Sequence, residues 1–520
     1  MSTPVLPVHS DVDGGRRTLE VRAPSSGAVV AEVPLATADD VARAAAELRV
    51  AQPAWEALGL AGRERWLARW RDWLLDEQER LTDLIQQETG KSRGDASIEV
   101  VTAAQTINYY LEHGAEFLAD RRPRPHTVAF ASKRLRLTRR PYPLVGVISP
   151  WNFPLALPAF DLIPALVAGC AVLSKPSEVV PLSWRAAVDG WEAIGAPPVL
   201  RCIVGDGEAG AAVVEHVDMV NFTGSTATGR RVAVRAAERL IPCSLELGGK
   251  DPMLVLRDAD VERAAGAAVW GGLFNAGQAC ISVERVYVEA AVHDAFADAV
   301  VRRVAALRQG PEHRPFTVDV GAMANESQLS IVERHVQDAL DRGARVAIGG
   351  RRRPGPGLFY EPTVLLDVDH DMACMREETF GPTLPIMRVP DERRAIELAN
   401  DSPYGLSASV FSGDLARAEA VAARLEAGAV NINDVIVNGF QFPLPMGGWK
   451  QSGLGARAGG AAGIHKFCRA QATVSDRFEP RAEISWYPYT PLKAGIQGRA
   501  LRLLSGRDLR RRLFNRSRGR

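Results

Sequence analysis

The chain has 520 residues, of which 46% are hydrophobic and 24% charged, a composition typical of a soluble globular protein with roughly two to four domains. Its 63 basic and 62 acidic residues leave a net charge of +1, so the molecule as a whole has no field that would attract nucleic acid. No two of the six cysteines have metal-ligand spacing, and the chain shows neither a signal peptide nor an apolar run long enough to span a membrane. These features indicate a cytoplasmic protein without a metal or a disulfide framework.

The N-terminal quarter predicts short strands followed by helices. Thr37 and Asp40 resemble the cap of an alanine-rich helix. An amphipathic helix is predicted over 63–87, where three tryptophans share one face, an arrangement typical of packing rather than of ligand binding. A further helix is expected over 95–119, and an exposed strand over 133–140.

From residue 144 onward, short β-branched runs alternate with helical segments. This rhythm is typical of a parallel sheet with crossover helices, and a Rossmann-like dinucleotide-binding domain is the leading architecture for it. A second alternating series begins after Gly249 and predicts a second α/β domain. The expected strands are 144–148, 171–173, 199–204 and 219–222 in the first series, and 252–256, 285–288, 345–348, 407–411 and 429–433 in the second.

Cys280 is the candidate nucleophile, because it follows a Gly-Gln turn behind large apolar residues. A thiol attacks well only as the thiolate, so it needs a lowered pKa or a base within reach. Glu246 ends an apolar strand before two glycines and offers such a base. The two residues belong to different series and would meet only at a domain interface, a common place for active sites. Taken alone, a buried cysteine is more often a small hydrophobic residue.

Five further motifs follow in a fixed order. They are Pro150-Trp151-Asn152-Phe153-Pro154, Lys175-Pro176-Ser177-Glu178, Phe222-Thr223-Gly224-Ser225-Thr226, Glu377-Glu378-Thr379-Phe380-Gly381-Pro382 and Pro445-Met446-Gly447-Gly448-Trp449-Lys450-Gln451-Ser452-Gly453. Together with Cys280 and Glu246, this set resembles the aldehyde dehydrogenase superfamily across residues 20–475. The resemblance implies an NAD-binding domain (1–125 and 142–247), a catalytic domain (248–428) and a small β oligomerisation arm (126–141 and 466–485), and it leaves 486–520 as a basic extension.

The resemblance also implies the catalytic roles. The thiolate at the Cys280 position attacks the aldehyde carbon, and Asn152 matches the side chain that donates to the resulting oxyanion. Hydride transfer to the nicotinamide then leaves a thioester. Glu246 matches the residue that activates water for hydrolysis of this thioester and also serves as a candidate base for the thiol.

The cofactor positions carry over in the same way. Lys175 and Glu178 match the residues that hold the adenosine ribose, and the carboxylate would repel a 2′-phosphate, which favours NAD and leaves NADP as an alternative. Gly224 and Ser225 match the helix N-terminus at the pyrophosphate, although the loop is not G-x-G-x-x-G. Glu378 matches the residue that binds the nicotinamide ribose. The other expected cofactor contacts are Trp151, Ser177, Gly229 and Phe380.

The substrate positions point to apolar aldehydes. Relatives acting on succinate semialdehyde place arginines where this chain has Phe160 and Phe274, and arginine is the residue that pairs well with a carboxylate. With Leu157, Phe440 and Met446, the two rings predict a tunnel for aliphatic or aromatic aldehydes.

Three other functions are alternatives to this interpretation. The first is a succinate-semialdehyde dehydrogenase, in which an arginine from a remote loop would bind the substrate carboxylate. The second is a CoA-acylating enzyme, which generally lacks the glutamate found here at 246. The third is a non-catalytic structural relative, which the joint presence of Cys280, Glu246 and Asn152 argues against.

The resemblance further predicts a homodimer or homotetramer formed through the arm. In the extension, Leu492, Ile496, Leu503 and Leu504 follow one helical face, and 507–520 holds seven arginines against one acidic residue. The favoured interpretation is a helix packed on a neighbouring subunit, and the alternative is weak contact with an anionic membrane surface.

Overall fold

The computed structural model describes residues 8–9, 17–127, 130–455, 458–478, 481–483 and 485–504. These residues form two large α/β sheets with their helices, one three-stranded sheet, two two-stranded sheets and a C-terminal helix. The strands are β1 (Val8–His9), β2 (Thr18–Arg22), β3 (Val29–Pro34), β4 (Lys133–Pro141), β5 (Leu144–Ile148), β6 (Ala171–Lys175), β7 (Leu200–Cys202), β8 (Met219–Thr223), β9 (Cys243–Glu246), β10 (Asp251–Val255), β11 (Val283–Glu289), β12 (Arg345–Ile348), β13 (Thr363–Leu366), β14 (Thr383–Val389), β15 (Tyr404–Gly405), β16 (Ser407–Phe411), β17 (Ala429–Ile432), β18 (Trp449–Lys450), β19 (Gly453–Leu454) and β20 (Cys468–Asp476).

Helices cover both sheets. They are α1 (Ala38–Ala57), α2 (Gly59–Asp76), α3 (Gln78–Thr89), α4 (Arg93–Leu118), α5 (Ala156–Ala168), α6 (Leu182–Ala193), α7 (Gly207–His216), α8 (Thr226–Glu238), α9 (Val261–Leu273), α10 (His293–Ala305), α11 (Glu326–Asp341), α12 (Ala373–Arg376), α13 (Glu392–Asn400), α14 (Leu415–Ala422), α15 (Gly460–His465) and α16 (Pro491–Leu504). Two 3-10 turns cover Phe274–Gly277 and Val437–Phe440. Among the described residues, none of these helices is long and apolar enough to cross a membrane.

The first α/β sheet has the order β19-β9-β8-β5-β6-β7, in which β5 to β9 are parallel and β19 is antiparallel. Its register aligns the carboxyl ends of four strands, because Ile148 pairs with both Lys175 and Phe222, and Thr223 pairs with Glu246. Residues that follow these strands therefore emerge at one edge of the sheet, where ligands of open α/β sheets bind. The predicted parallel series is present.

The second α/β sheet has the order β12-β13-β14-β11-β10-β16-β17 and is parallel except for β12. The five strands expected in this half are present, and two buried strands, β13 and β14, were not predicted. Neither strand alternates apolar with polar residues, and periodicity alone cannot distinguish such a short segment as a strand from part of a buried helix.

The helical N-terminal quarter differs from prediction at one point. The helix expected over 63–87 is two helices, α2 and α3, which meet at Glu77. Trp70 is buried and packs edge-on against Trp184 and Trp191, with ring centroids 6.4 and 5.6 Å apart. The capping box at Thr37 is present, with the Thr37 hydroxyl accepting from the Asp40 N–H.

The described chain falls into two compact units. The first lies within 8–117 and 141–467 and contains both α/β sheets; the second lies within 118–140 and 468–504. In the second unit, β4 pairs with β20, and Lys133 forms ion pairs with Asp476 and Glu483. The predicted division of the first unit into two domains remains a prediction.

Candidate active site

Cys280 lies three residues before β11 and directly after a strained turn. Asn275 and Ala276 have φ values of 53° and 54°. This left-handed conformation costs about 1–3 kcal/mol for each residue that is not glycine. Gly277 also has a positive φ, and a Cβ there would come within 2.1 Å of the Gly381 carbonyl oxygen. Only glycine can occupy this position, because any side chain would collide with the Gly381 backbone.

The strained turn is fastened to the segment after β5. The Asn275 N–H donates to the Asp95 carboxylate at 3.2 Å, and the Asn275 side-chain amide donates to the Asn152 carbonyl at 2.9 Å. Burial raises the pKa of Asp95 to about 6. The side-chain Nδ2 of Asn152 donates to the Gln278 carbonyl at 3.0 Å. An asparagine amide has two N–H hydrogens, so Asn152 can be held by one and donate the other to a ligand.

A single cavity brings several predicted residues together. It is lined by Trp151, Asn152, Leu157, Gly224, Ser225, Cys280, Glu378 and Phe380, together with Leu247, Gly248 and Gln328. Glu246 ends β9 with 1% of its surface exposed and is not one of these lining residues, although its two successors are. The structure therefore places Cys280 and Asn152 at one cavity and Glu246 immediately behind its wall.

Glu378 and Phe380 lie opposite the two glycines after β9. The Gly249 N–H donates to the Glu378 carboxylate at 3.1 Å, and a Cβ on Gly248 would come within 2.5 Å of the other carboxylate oxygen. Burial, followed by the charge of Glu284, raises the pKa of Glu378 to about 8. Phe380 meets Trp151 edge-on, with ring centroids 5.4 Å apart.

On one side, the Cys280 cavity shares Trp151, Gly224 and Ser225 with a larger cavity of about 590 Å³ at the carboxyl edge of the first sheet. Lys175, Ser177 and Glu178 also line this larger cavity, which we call the nucleotide cavity. Ser225 caps α8 by accepting from the Thr228 N–H, which leaves the helix N-terminus facing the cavity. The long cavity, the helix N-terminus and the polar side chains fit a dinucleotide.

Three features of the nucleotide cavity were not expected. Gly229 does not line it; a Cβ at this position would come within 2.4 Å of the Leu247 side chain, so the glycine permits close packing of α8. The Glu178 carboxylate lies 3.3 Å from the Lys175 ammonium. Arg231 and Arg235, one helical turn apart on α8, also line the cavity. Their spacing on α8 was the signal in the sequence that could have identified them.

On its other side, Cys280 lines an apolar cavity, which we call the tunnel. All five predicted substrate residues line it, namely Leu157, Phe160, Phe274, Phe440 and Met446. The remaining lining residues are Ile98, Glu99, Thr102, Phe153, Ala156, Ala279, Ile281, Ile436 and Gly439. None of these residues, all within the described ranges, is arginine or lysine.

A buried ion pair that sequence reasoning missed supports the tunnel and Asn152 together. Lys91 and Glu99, each with 1% of the side chain exposed, lie 2.7 Å apart. Lys91 also donates to the Asn152 carbonyl at 2.7 Å, and Glu99 accepts from the N–H groups of Leu155 and Ala156 at the start of α5. The signal available in the sequence was Glu99, a charged residue among the apolar residues Ile98, Val100 and Ala103 of α4.

A second buried pair supports the wall that contains Glu378. Lys250 and Glu284 lie 2.6 Å apart, and Glu284 accepts from the N–H groups of Thr379 and Phe380 at 2.8 and 2.7 Å. No group of three His, Cys, Asp or Glu side chains suited to a metal occurs among the described residues.

Known proteins resemble this chain over most of its length. The model of the aldehyde dehydrogenase family matches residues 11–473. The "Putative succinate-semialdehyde dehydrogenase [NADP(+)] 2" of Mycobacterium ulcerans is 41% identical over 91% of both chains. The "4,4'-diapolycopene aldehyde oxidase" of Methylomonas sp is 40% identical over 91% of this chain and 88% of that protein. The solved lactaldehyde dehydrogenase from Escherichia coli is 34% identical with a TM-score of 0.84, over 88% of this chain and 95% of that one.

Proposed function

The chain belongs to the aldehyde dehydrogenase family, and from that premise we propose how its residues oxidise an aldehyde to a carboxylic acid with NAD or NADP as the acceptor. One observation carries the proposal. Cys280 lines both the apolar tunnel and the cavity that continues into the nucleotide cavity. A thiol at that junction can reach an aldehyde from one side and a nicotinamide from the other.

The thiolate of Cys280 attacks the carbonyl carbon, so a carbon–sulfur bond forms and the carbonyl oxygen becomes an oxyanion. The second N–H of the Asn152 amide and the backbone N–H of Cys280 donate to this oxyanion. The support is that Asn152 shares the cavity with Cys280 and is held by Gln278 and Lys91. A donor fixed in advance needs no reorganisation when charge develops.

When bound, the cofactor supplies the acceptor for the hydride that leaves the substrate carbon. The acyl group of the substrate is then bound to the Cys280 sulfur as a thioester. Glu246 takes a proton from the water that hydrolyses this thioester, and the acid and the Cys280 thiolate are released. Glu246 also accepts the thiol proton before attack and releases it to solvent before the hydrolysis step, so that it is a carboxylate again when the water reacts. Its position at the end of β9, next in the chain to Leu247 and Gly248 of the cavity lining, supports this role.

The cofactor is held by the residues around the nucleotide cavity. Lys175 and Glu178 bind the adenosine ribose, and Gly224 with the α8 N-terminus receives the pyrophosphate. Glu378 binds the nicotinamide ribose. The Glu178 carboxylate favours NAD, while its contact with Lys175 and the nearby arginines leaves NADP as a second acceptor.

The substrate that we propose is an apolar aliphatic or aromatic aldehyde. The tunnel lining supports this choice, because its one charged group, Glu99, is already paired with Lys91. The diapolycopene aldehyde oxidase relative is named for an apolar substrate. Succinate semialdehyde is the second candidate because the Mycobacterium ulcerans relative is named for it, but its carboxylate would find no cation in the tunnel.

A panel of aldehydes mixed with the protein and NAD, followed by the absorbance of reduced nicotinamide, tests the proposal. We expect kcat/KM for hexanal or benzaldehyde to exceed that for succinate semialdehyde. The reverse order would reject the apolar substrate.

Cys280→Ala is the matched test of the mechanism. Loss of the thiolate should lower turnover by at least about a thousandfold, while NAD binding measured by calorimetry stays close to wild type. Residual turnover within about tenfold of wild type would contradict the role of Cys280.

We also propose a cytoplasmic homodimer or homotetramer built through β4 and β20. The exposed length of β20 supports this, since a two-stranded sheet gains stability by adding a strand or a packing surface. In α16, Leu492 is 73% and Ile496 is 47% exposed, which favours the packing of this helix on a neighbouring subunit. Contact with an anionic membrane is the alternative. Co-sedimentation of the full chain and of 1–485 with anionic liposomes distinguishes the two.

A further inference from the structure

A row of aromatic rings leads away from the tunnel. Phe160 lines the tunnel and meets Phe442 edge-on, with ring centroids 6.0 Å apart. Phe442 stacks on Tyr109 at 5.7 Å and 28°. Tyr109 then contacts His113 at 4.7 Å and Phe117 at 6.2 Å. These five rings, which we call the aromatic row, contact one another in sequence and form one continuous aromatic path.

The elements that carry the aromatic row also build the tunnel. Tyr109, His113 and Phe117 are spaced four residues apart on α4, so they lie on one face of the helix that also supplies tunnel residues. Phe442 lies between Phe440 and Met446, and both of these line the tunnel. The row is therefore continuous with the tunnel.

Phe160 is buried, whereas the four other rings of the aromatic row are only partly buried. Phe160 is 8% exposed, Phe442 and Tyr109 are half-buried, and the His113 side chain is 35% exposed. Leu444, two residues beyond Phe442, is 62% exposed. A packing cluster inside the core would bury all its rings, whereas this row runs from a buried cavity to the protein surface.

We propose that the aromatic row binds the hydrocarbon part of a long-chain or polyene aldehyde whose carbonyl lies at Cys280. The inference rests on the proposed function and extends it from apolar aldehydes in general to those longer than the tunnel. Aromatic faces offer dispersion contact to methylene or conjugated carbons, and burying each methylene favours binding. A short aldehyde ends within the tunnel and gains nothing from the row.

The chain-length dependence of kcat/KM tests this inference. For straight-chain aldehydes from butanal to dodecanal, we expect kcat/KM to rise by up to about fourfold for each added methylene until the row is covered. Phe442→Ala interrupts the row, so the ratio of kcat/KM for dodecanal to that for butanal should fall about tenfold. Val101→Ala removes an exposed apolar side chain elsewhere on α4 and should leave the ratio unchanged.

Three outcomes would overturn the inference. A profile that is flat beyond the tunnel, or a Phe442→Ala variant that lowers dodecanal and butanal rates equally, would show that the row does not hold substrate. A Phe442→Ala variant with altered oligomeric state in analytical ultracentrifugation and an unchanged profile would assign the row to a second copy of the chain. If no aldehyde of the series from butanal to dodecanal is oxidised, the proposed function has failed, and the inference that rests on it fails as well.

Discussion

The two sides of Cys280 are built in different ways. The nucleotide side is formed by a helix N-terminus, the close approach of Gly248 to Glu378, and polar side chains at aligned strand ends. The tunnel side is formed by rings and aliphatic chains from α4, α5, the turn before Cys280 and the segment near Met446. Backbone geometry constrains the first side, and the packing of distant side chains shapes the second.

The comparison teaches where change is tolerated. A backbone site admits few substitutions, since almost any side chain at Gly248 would collide with the Glu378 carboxylate. The tunnel can change its residues while the chemistry at Cys280 stays intact. Substitutions on the nucleotide side should therefore alter cofactor use or rate, whereas those on the tunnel side should alter aldehyde preference.

The largest effect is expected where the two sides share a support. Glu99→Leu leaves the Lys91 ammonium buried without its carboxylate, and breaking a buried pair in this way costs about 3–5 kcal/mol. The free energy of unfolding from denaturant titration measures the loss. Glu116→Leu, at an exposed position on the same helix, should change it by less than about 0.5 kcal/mol. Equal changes in the free energy of unfolding for the two variants would contradict a supporting role for Glu99.

Asn152→Ala should come next. Loss of one oxyanion donor lowers kcat by about 10²–10³-fold, and the KM for the aldehyde should change little because the donor acts on the transition state. Steady-state kinetics with hexanal measures both constants. A kcat within about threefold of wild type would exclude Asn152 as the donor.

Phe160→Ala examines the tunnel side alone. Removal of the ring should lower kcat/KM for hexanal about tenfold while the KM for NAD stays constant. Phe316→Ala, which truncates a ring that is 62% exposed, is the control. If Phe160→Ala changes both kcat/KM for hexanal and the KM for NAD, the tunnel side and the nucleotide side do not act independently.

Glu178→Gln examines the nucleotide side alone. Removing the negative charge should raise the preference for NADP over NAD about fivefold, with the ratio of hexanal to benzaldehyde oxidation unchanged. Glu208→Gln neutralises another carboxylate that lines the same cavity and serves as the control. Equal shifts in both variants would indicate a general charge effect rather than contact with the ribose.

The last prediction concerns the raised pKa of Glu378 and the pH dependence of stability. Because its folded pKa of about 8 exceeds its usual value of 4.5, the folded state holds the proton more tightly and loses stability as pH rises between these values. The melting temperature of Glu378→Gln minus that of wild type should therefore grow as the pH rises from 5 to 8 and level off above. A constant difference across this range would argue against a protonated Glu378.

Much of the fold follows from local sequence. The strands of the first sheet and their carboxyl-end motifs were predictable because each motif lies within a few residues of an apolar run. The boundary between α2 and α3 was not, since no proline or glycine marks Glu77. Local patterns likewise missed β13 and β14, whose burial comes from neighbouring strands.

The amino-acid sequence by itself determined where the strands of the first sheet lie along the chain and which cysteine is the candidate nucleophile, because these depend on neighbours along the chain. Only the tertiary structure decided that Gly229 packs under Leu247, that Glu246 lies behind the cavity wall, and that Lys91 and Glu99 join Asn152 to the tunnel. The physical reason is that these contacts link separate elements, and their geometry depends on the packing of helices against two sheets.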